Sequence, residues 1–198
     1  AYGLFKTSRI LAIAQAYQPW HILFLLDGPT SLRPSDANPI AARHGRTMAS
    51  LSLKDPDQPV LTVEIPDLQI PNVITAKSLL VSLRNGVAGS LDIALAANAP
   101  TITVPHKPIL VLDRAALDGT LSRGPTLSIH ASSLTKRTLQ AAATGTLTLD
   151  DAHQPTGEIK AETNDPKLLL DTAAPYLNMQ DQDKQQATMM LQLLGSKA

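Results

Sequence analysis

The chain has 198 residues, 17 basic and 17 acidic side chains and no cysteine; this length suits a single domain that buries roughly 70% of its unfolded surface without metal or disulfide. A formal net charge of zero excludes binding through a broad electrostatic field, and with it most nucleic-acid partners and simple attachment to acidic headgroups. The missing cysteine excludes thiol catalysis, thiolate zinc sites and cysteine-ligated iron–sulfur clusters, and leaves the redox compartment open.

From the N-terminus, no charged segment leads into an apolar one, so a mature or partial chain without its targeting segment is expected. The apolar runs at residues 10–14 and 22–26 fall far short of the ~20 residues that span a bilayer. Residues 20–26 and 48–53 read as strands. Strict alternation then marks Leu61, Val63 and Ile65 against Thr62 and Glu64, and Leu91, Ile93 and Leu95 against Asp92 and Ala94. Between them, Pro66 and Pro71 flank Leu68 and Ile70; proline donates no ladder hydrogen bond, so residues 67–72 read as an edge or a bulge. Residues 79–84, 109–112 and 116–121 add further strands. Leu127, Ile129 and Ala131 alternate with Ser128, His130 and Ser132, and Leu147 and Leu149 with Thr146 and Thr148, before a turn and a return run at 158–163.

About ten strands joined by short polar turns predict a mainly β fold: a curved antiparallel sheet, or a partly open barrel or sandwich. At Asn164 the pattern changes. A capping side chain before Pro166, followed by Leu168, Leu169, Thr172 and Ala173, predicts a two-turn helix ending at Pro175. A second helix is predicted from Asp181 to Gly195, with Ala187, Met190, Leu191 and Leu194 on one stripe. The whole chain, 1–198, reads as one β-rich domain whose helical segment, 164–195, packs on the sheet.

Chemistry-bearing motifs are absent. Neither phosphate-binding glycine pattern occurs, and Ser122, between Gly119 and Gly124, has the wrong offset for a nucleophile elbow. The histidines, His21, His44, His106, His130 and His153, are too far apart in sequence for a local metal motif. Glu158 and Glu162 share a strand face with Lys160, the pattern of a solvated surface rather than of a glycosidase pair. No catalytic residue, metal or cofactor is therefore assigned, and no enzyme is expected. Arg43 and Arg46, in a short basic cluster around His44, are candidates for contact with one anionic group such as a lipid phosphate or a partner carboxylate. The aliphatic strand faces, carried by Ile22, Phe24, Leu61, Val63, Ile65, Leu91, Ile93, Leu127 and Ile129, are either core or the lining of a hydrophobic groove.

Two stretches carry a resemblance. Residues 9–22, from Arg9 through Ala14-Gln15-Ala16-Tyr17 to Ile22, followed by Asp27-Gly28-Pro29, resemble the middle segment of domain-of-unknown-function family 2125. Residues 145–150, Pro155 to Ile159, Asn164 and Leu168 to Leu170 are similar to that family's closing hairpin and helix. The resemblance implies an alphaproteobacterial envelope protein, periplasmic and inner-membrane-anchored in its full-length form, loosely similar to AsmA-like proteins that carry lipid on an open, curved sheet. This chain lacks the anchor that the resemblance implies, so it is expected to be the C-terminal part of a longer protein. Two functions follow as expectations: binding of lipid or another hydrophobic ligand on the aliphatic face, or an adaptor role in which a sheet edge or the C-terminal helix binds another envelope protein.

Overall fold

A computed structural model describes residues 4–33, 39–122, 126–149, 154–176 and 185–186. It contains one large open antiparallel sheet. Its strands are β1 (Leu4–Gln15), β2 (Gln18–Arg33), β3 (Ile40–Ala42), β4 (Thr47–Ser52), β5 (Val60–Ile70), β6 (Ile74–Asn85) and β7 (Leu91–Asn98). The remainder are β8 (Thr101–Ile102), β9 (Leu110–Val111), β10 (Arg114–Ser122), β11 (Thr126–Lys136), β12 (Leu139–Leu149) and β13 (Pro155–Thr163). The order across the sheet is β1-β2-β4-β5-β6-β7-β10-β11-β12-β13, which is nearly a simple meander. Two excursions leave it: β3 folds beside β2, and β8 and β9 lie against the far end of β6. The sheet does not close, so the expected architecture holds in its open form, with 13 strands where alternation predicts about ten.

The prolines act as expected. Asp67, just after Pro66, has φ of +50°. The Gly45 N–H donates to the Pro66 carbonyl while Arg43 pairs with Gln69, so β5 carries one extra residue against residues 43–45. This is a bulge; on the other side β5 keeps its register against β6, with Asp67 and Lys77 both skipped. Strand β1 was not predicted, because Ile10-Leu11-Ala12-Ile13-Ala14 is apolar throughout and carries no period of two. A second difference lies in β11. Its register against β12 slips between Ile129 and Ser132, so Ser132 pairs with Leu117 and Ala131 with Asp118. The expected apolar trio therefore loses Ala131 to the polar face, and Ser132 takes its place with its hydroxyl donating to the Ala143 carbonyl at 2.9 Å.

The helix α1 (Pro166–Ala173) starts as its sequence dictates: Pro166 occupies its first turn and the Asp165 carboxylate accepts from the Leu168 N–H at 2.8 Å. Asn164 instead ties the chain to the sheet, accepting from the Gln140 N–H and donating to the Thr138 carbonyl, each at 2.8 Å. The helix packs against β12. The second expected helix falls outside the described residues, apart from 185 and 186. Among the described residues the buried apolar side chains are few: Ala49, Leu68, Ala76, Pro100, Leu112, Leu139 and Ala174. Most of the aliphatic surface lies elsewhere, half-exposed on the sheet.

Candidate functional site

Side chains directly opposite one another in a sheet share a face, so the register traces each row across the strands. One row runs Ala14, Ile22, Leu51, Leu61, Leu83, Ile93, Gly119, Ile129, Gly145, Ile159. The next runs Ala12, Phe24, Ala49, Val63, Val81, Leu95, Leu117, Ser132, Ala143, Ala161. Apart from Ser132, both rows are apolar or glycine, across a width of roughly 45 Å at the usual strand spacing. Only Ala49 and Gly119 in them are buried; the rest are half-buried or exposed. No second layer of described residues covers these two rows; beyond them α1 packs against β12, and Leu139, on the same side of that strand as Ala143 and Gly145, is 0% exposed.

All nine aliphatic candidates stand on it. Ile22, Leu61, Ile93 and Ile129 belong to the first row, and Phe24 and Val63 to the second. Ile65 lies in a neighbouring row opposite Leu79, while Leu91 and Leu127 meet across Leu121. Leu83, Val81 and Leu117 complete the rows without having been singled out, and Leu95, read as part of an alternating strand, joins them as a further lining residue. Alternation marks one face of each strand but cannot say that the faces of distant strands coincide.

The face deepens at the β1–β6 end into a concavity of about 450 Å³, where β3 and the bulged end of β5 rise beside it. Phe24, Leu61, Val63 and Ile65 line it together with Ile10, Leu68 and Leu79. Ile22, Leu91, Ile93, Leu127 and Ile129 lie on the open part of the face. The polar groups beside the concavity are satisfied: the buried Thr47 hydroxyl and His44 Nδ1 lie 2.9 Å apart, and His44 Nδ1 is 2.6 Å from the Gly45 carbonyl oxygen.

The opposite face is mixed: Leu11, Leu25, Met48 and Leu80 share one of its rows with Glu64, while Ser50, Thr62 and Ser82 occupy the next. There Arg84 donates to Asp92 through Nη2 at 2.7 Å and Nε at 3.2 Å, and the Thr120 hydroxyl donates to the other Asp92 oxygen at 2.8 Å. These hydrogen bonds, that from Arg84 first, hold the Asp92 carboxyl below the usual carboxylate range. Because Thr120 spends its proton on Asp92, the 2.8 Å contact with His130 Nε2 requires the ring nitrogen to donate. His130 is exposed, as its alternation predicts. A second concavity on this face, about 540 Å³, is flanked by Glu64, Ser78, Asn98 and Arg114.

The two arginine candidates lie in separate settings. Arg46 pairs with Asp27 through Nε at 2.9 Å, whereas Arg43 bridges its backbone to Gln69 and lines a different concavity with Pro71 and Thr103. His21 Nε2 meets Ser50 Oγ at 2.7 Å, and Glu158 sits 3.9 Å from Lys160 on β13. His153 lies outside the described residues, and among those described no three His, Asp or Glu side chains group as metal ligands would. No helix of the described residues is long and apolar enough to cross a membrane.

The model of a bacterial family, described as uncharacterized protein conserved in bacteria (DUF2125), matches residues 73–198. The chain belongs to this family. The matched residues run from the turn before β6 to the C-terminus and include the closing hairpin and helix; the segment from Arg9 to Pro29 precedes them. No curated protein and no solved structure matches the chain.

Proposed function

We propose that this member of the DUF2125 family is a non-enzymatic module of the bacterial envelope, which holds the acyl chains of a lipid against the aliphatic face of its open sheet. The observation that carries the reading is the surface of two adjoining rows across ten strands, apolar or glycine but for Ser132, with no layer of described residues over them. Contiguous apolar patches beyond a few hundred Å² on soluble domains mark interaction sites. Aliphatic rows without directional polar groups suit a flexible chain whose position along the face is not fixed, and the concavity beside Phe24 suits one chain end. The resemblance to envelope proteins supports a periplasmic location.

The test is purification from bacterial envelopes under mild conditions, organic extraction and mass spectrometry. Lipid in fixed ratio to the chain is expected. An empty protein that also takes up no lipid from vesicles overturns the reading.

A specific contrast between the sheet edges favours an adaptor role as the second reading. The β13 edge carries Glu158, Lys160 and Glu162, charges of the kind that discourage edge pairing. The β1 edge instead presents Ile10, Leu11 and Ile13, all exposed, and would accept an added strand from an envelope protein. An empty protein that retains a stoichiometric partner through β1, lost on Leu11→Lys, would select this reading.

A further inference from the structure

The hairpin turns at one end of the sheet carry a second apolar feature. Register places the β1–β2, β4–β5 and β6–β7 turns side by side at this end: His21 pairs with Ser52, Ser52 with Val60, Val60 with Arg84, and Arg84 with Asp92. Tyr17, at the first turn, is 74% exposed, and Val87, in the third, is 87% exposed. Val87 is held out by a tight turn in which Ala88 takes φ of +56°. Trp20, the single tryptophan of the chain, is 43% exposed, and its carbonyl accepts from the Leu53 N–H at 2.8 Å, which sets Leu53 beside it. A chain with so few aromatics has placed two of them in water at one corner.

We infer that this corner, formed by Tyr17, Trp20, Leu53 and Val87, inserts into the interfacial region of a lipid bilayer. Two observations select a lipid surface of low charge as the occupant. The first is charge: among the described residues, the turns 16–17, 53–59 and 86–90 carry Lys54, Asp55 and Asp57, so nothing there attracts anionic headgroups. Tyrosine and tryptophan have an apolar body and a polar tip, which suits the headgroup boundary without electrostatic help. The second is continuity. Trp20 and Leu53 extend the same alternation as Ile22 and Leu51, so the apolar face reaches the corner directly. A chain leaving the bilayer there would enter the face beside Ile22 without crossing a polar row. The choice of occupant rests on the lipid reading of the face, but the contact itself is separately measurable.

Trp20 reports on it. The intact chain is mixed with phosphatidylcholine vesicles, plain or brominated on the acyl chain, at low salt and at about 0.5 M salt, where electrostatic attraction is screened within a few Å. A blue shift of the emission and quenching by the brominated lipid, equal at both salt concentrations, are expected. Combining Tyr17→Ser, Leu53→Ser and Val87→Ser should weaken vesicle partition at least roughly tenfold, with the β-sheet circular dichroism unchanged. Unshifted emission, binding that disappears with salt, or binding that survives the triple variant each overturns the inference. Ile93→Asp separates the two proposals: it should abolish lipid retention on the face while leaving the Trp20 shift in place. Lipid retained by a chain that makes no vesicle contact overturns the corner alone.

Discussion

Replacing Ile93 by Asp places a carboxylate in the middle of the aliphatic face, between Leu83 on β6 and Gly119 on β10. Ile93 is half-buried. Losing its remaining apolar burial costs about 1–2 kcal/mol, roughly half the value of a fully buried isoleucine. The lower strand propensity of aspartate adds up to about 1 kcal/mol. At 2–4 °C per kcal/mol for a chain of this size, the melting temperature should fall by roughly 2–12 °C while the protein still folds. Leu139→Asp supplies the contrast, because Leu139 is 0% exposed; a carboxylate sealed there should abolish cooperative unfolding. Circular dichroism melts and mass spectrometry of extracted lipid, run on both variants, give the answer. If Ile93→Asp fails to fold, the face is a closed core. If it folds and keeps its lipid, the face is not the binding surface.

Three further outcomes follow from local geometry. Asp165→Ala removes the carboxylate that caps Leu168 N–H; about 1 kcal/mol should be lost, seen as faster amide exchange confined to α1 and the adjoining end of β12. Asp92 has its pKa lowered in the fold from an ordinary value of 3.8, so its stabilisation is present above that value and vanishes as pH falls through the folded pKa. Asp92→Asn should therefore lower the melting temperature by a constant amount above about pH 5, and the gap should close below pH 3.8; a gap unchanged through the acid range would show that the Arg84 contact contributes nothing. Gly145 has φ of +156° and a Cβ there would be driven into the Glu158 carbonyl oxygen. Gly145→Val should detach β13 from β12, raising proteolysis within 155–163; protection unchanged from the parent would contradict the close approach.

Strand content was legible in the sequence wherever one face is apolar and the other polar. Leu61 to Ile65 and Leu91 to Leu95 alternate because water meets one side of their strands. The cap at Asp165 and the bulge after Pro66 were equally local: a carboxylate within reach of one N–H, and a ring that removes another. Strand β1 was hidden because residues 10–14 are apolar on both sides, and a run without a period does not identify its element. The fate of Ala131 was hidden because one unpaired residue in β11 reverses the side of everything after it. That slip depends on partners in β10 and β12.

The candidate residues were visible one strand at a time, and their union was not. Composition and alternation by themselves determined a mainly β chain, one aliphatic face per strand and a capped terminal helix, since each depends on neighbours in sequence. Only the tertiary structure decided that these faces merge into one surface, that the sheet stays open, and that the turns bearing Tyr17, Leu53 and Val87 line up with Trp20 along one end of it. Those properties arise from register between strands distant in the chain and from the absence of a covering layer among the described residues, and no local pattern of side chains encodes either.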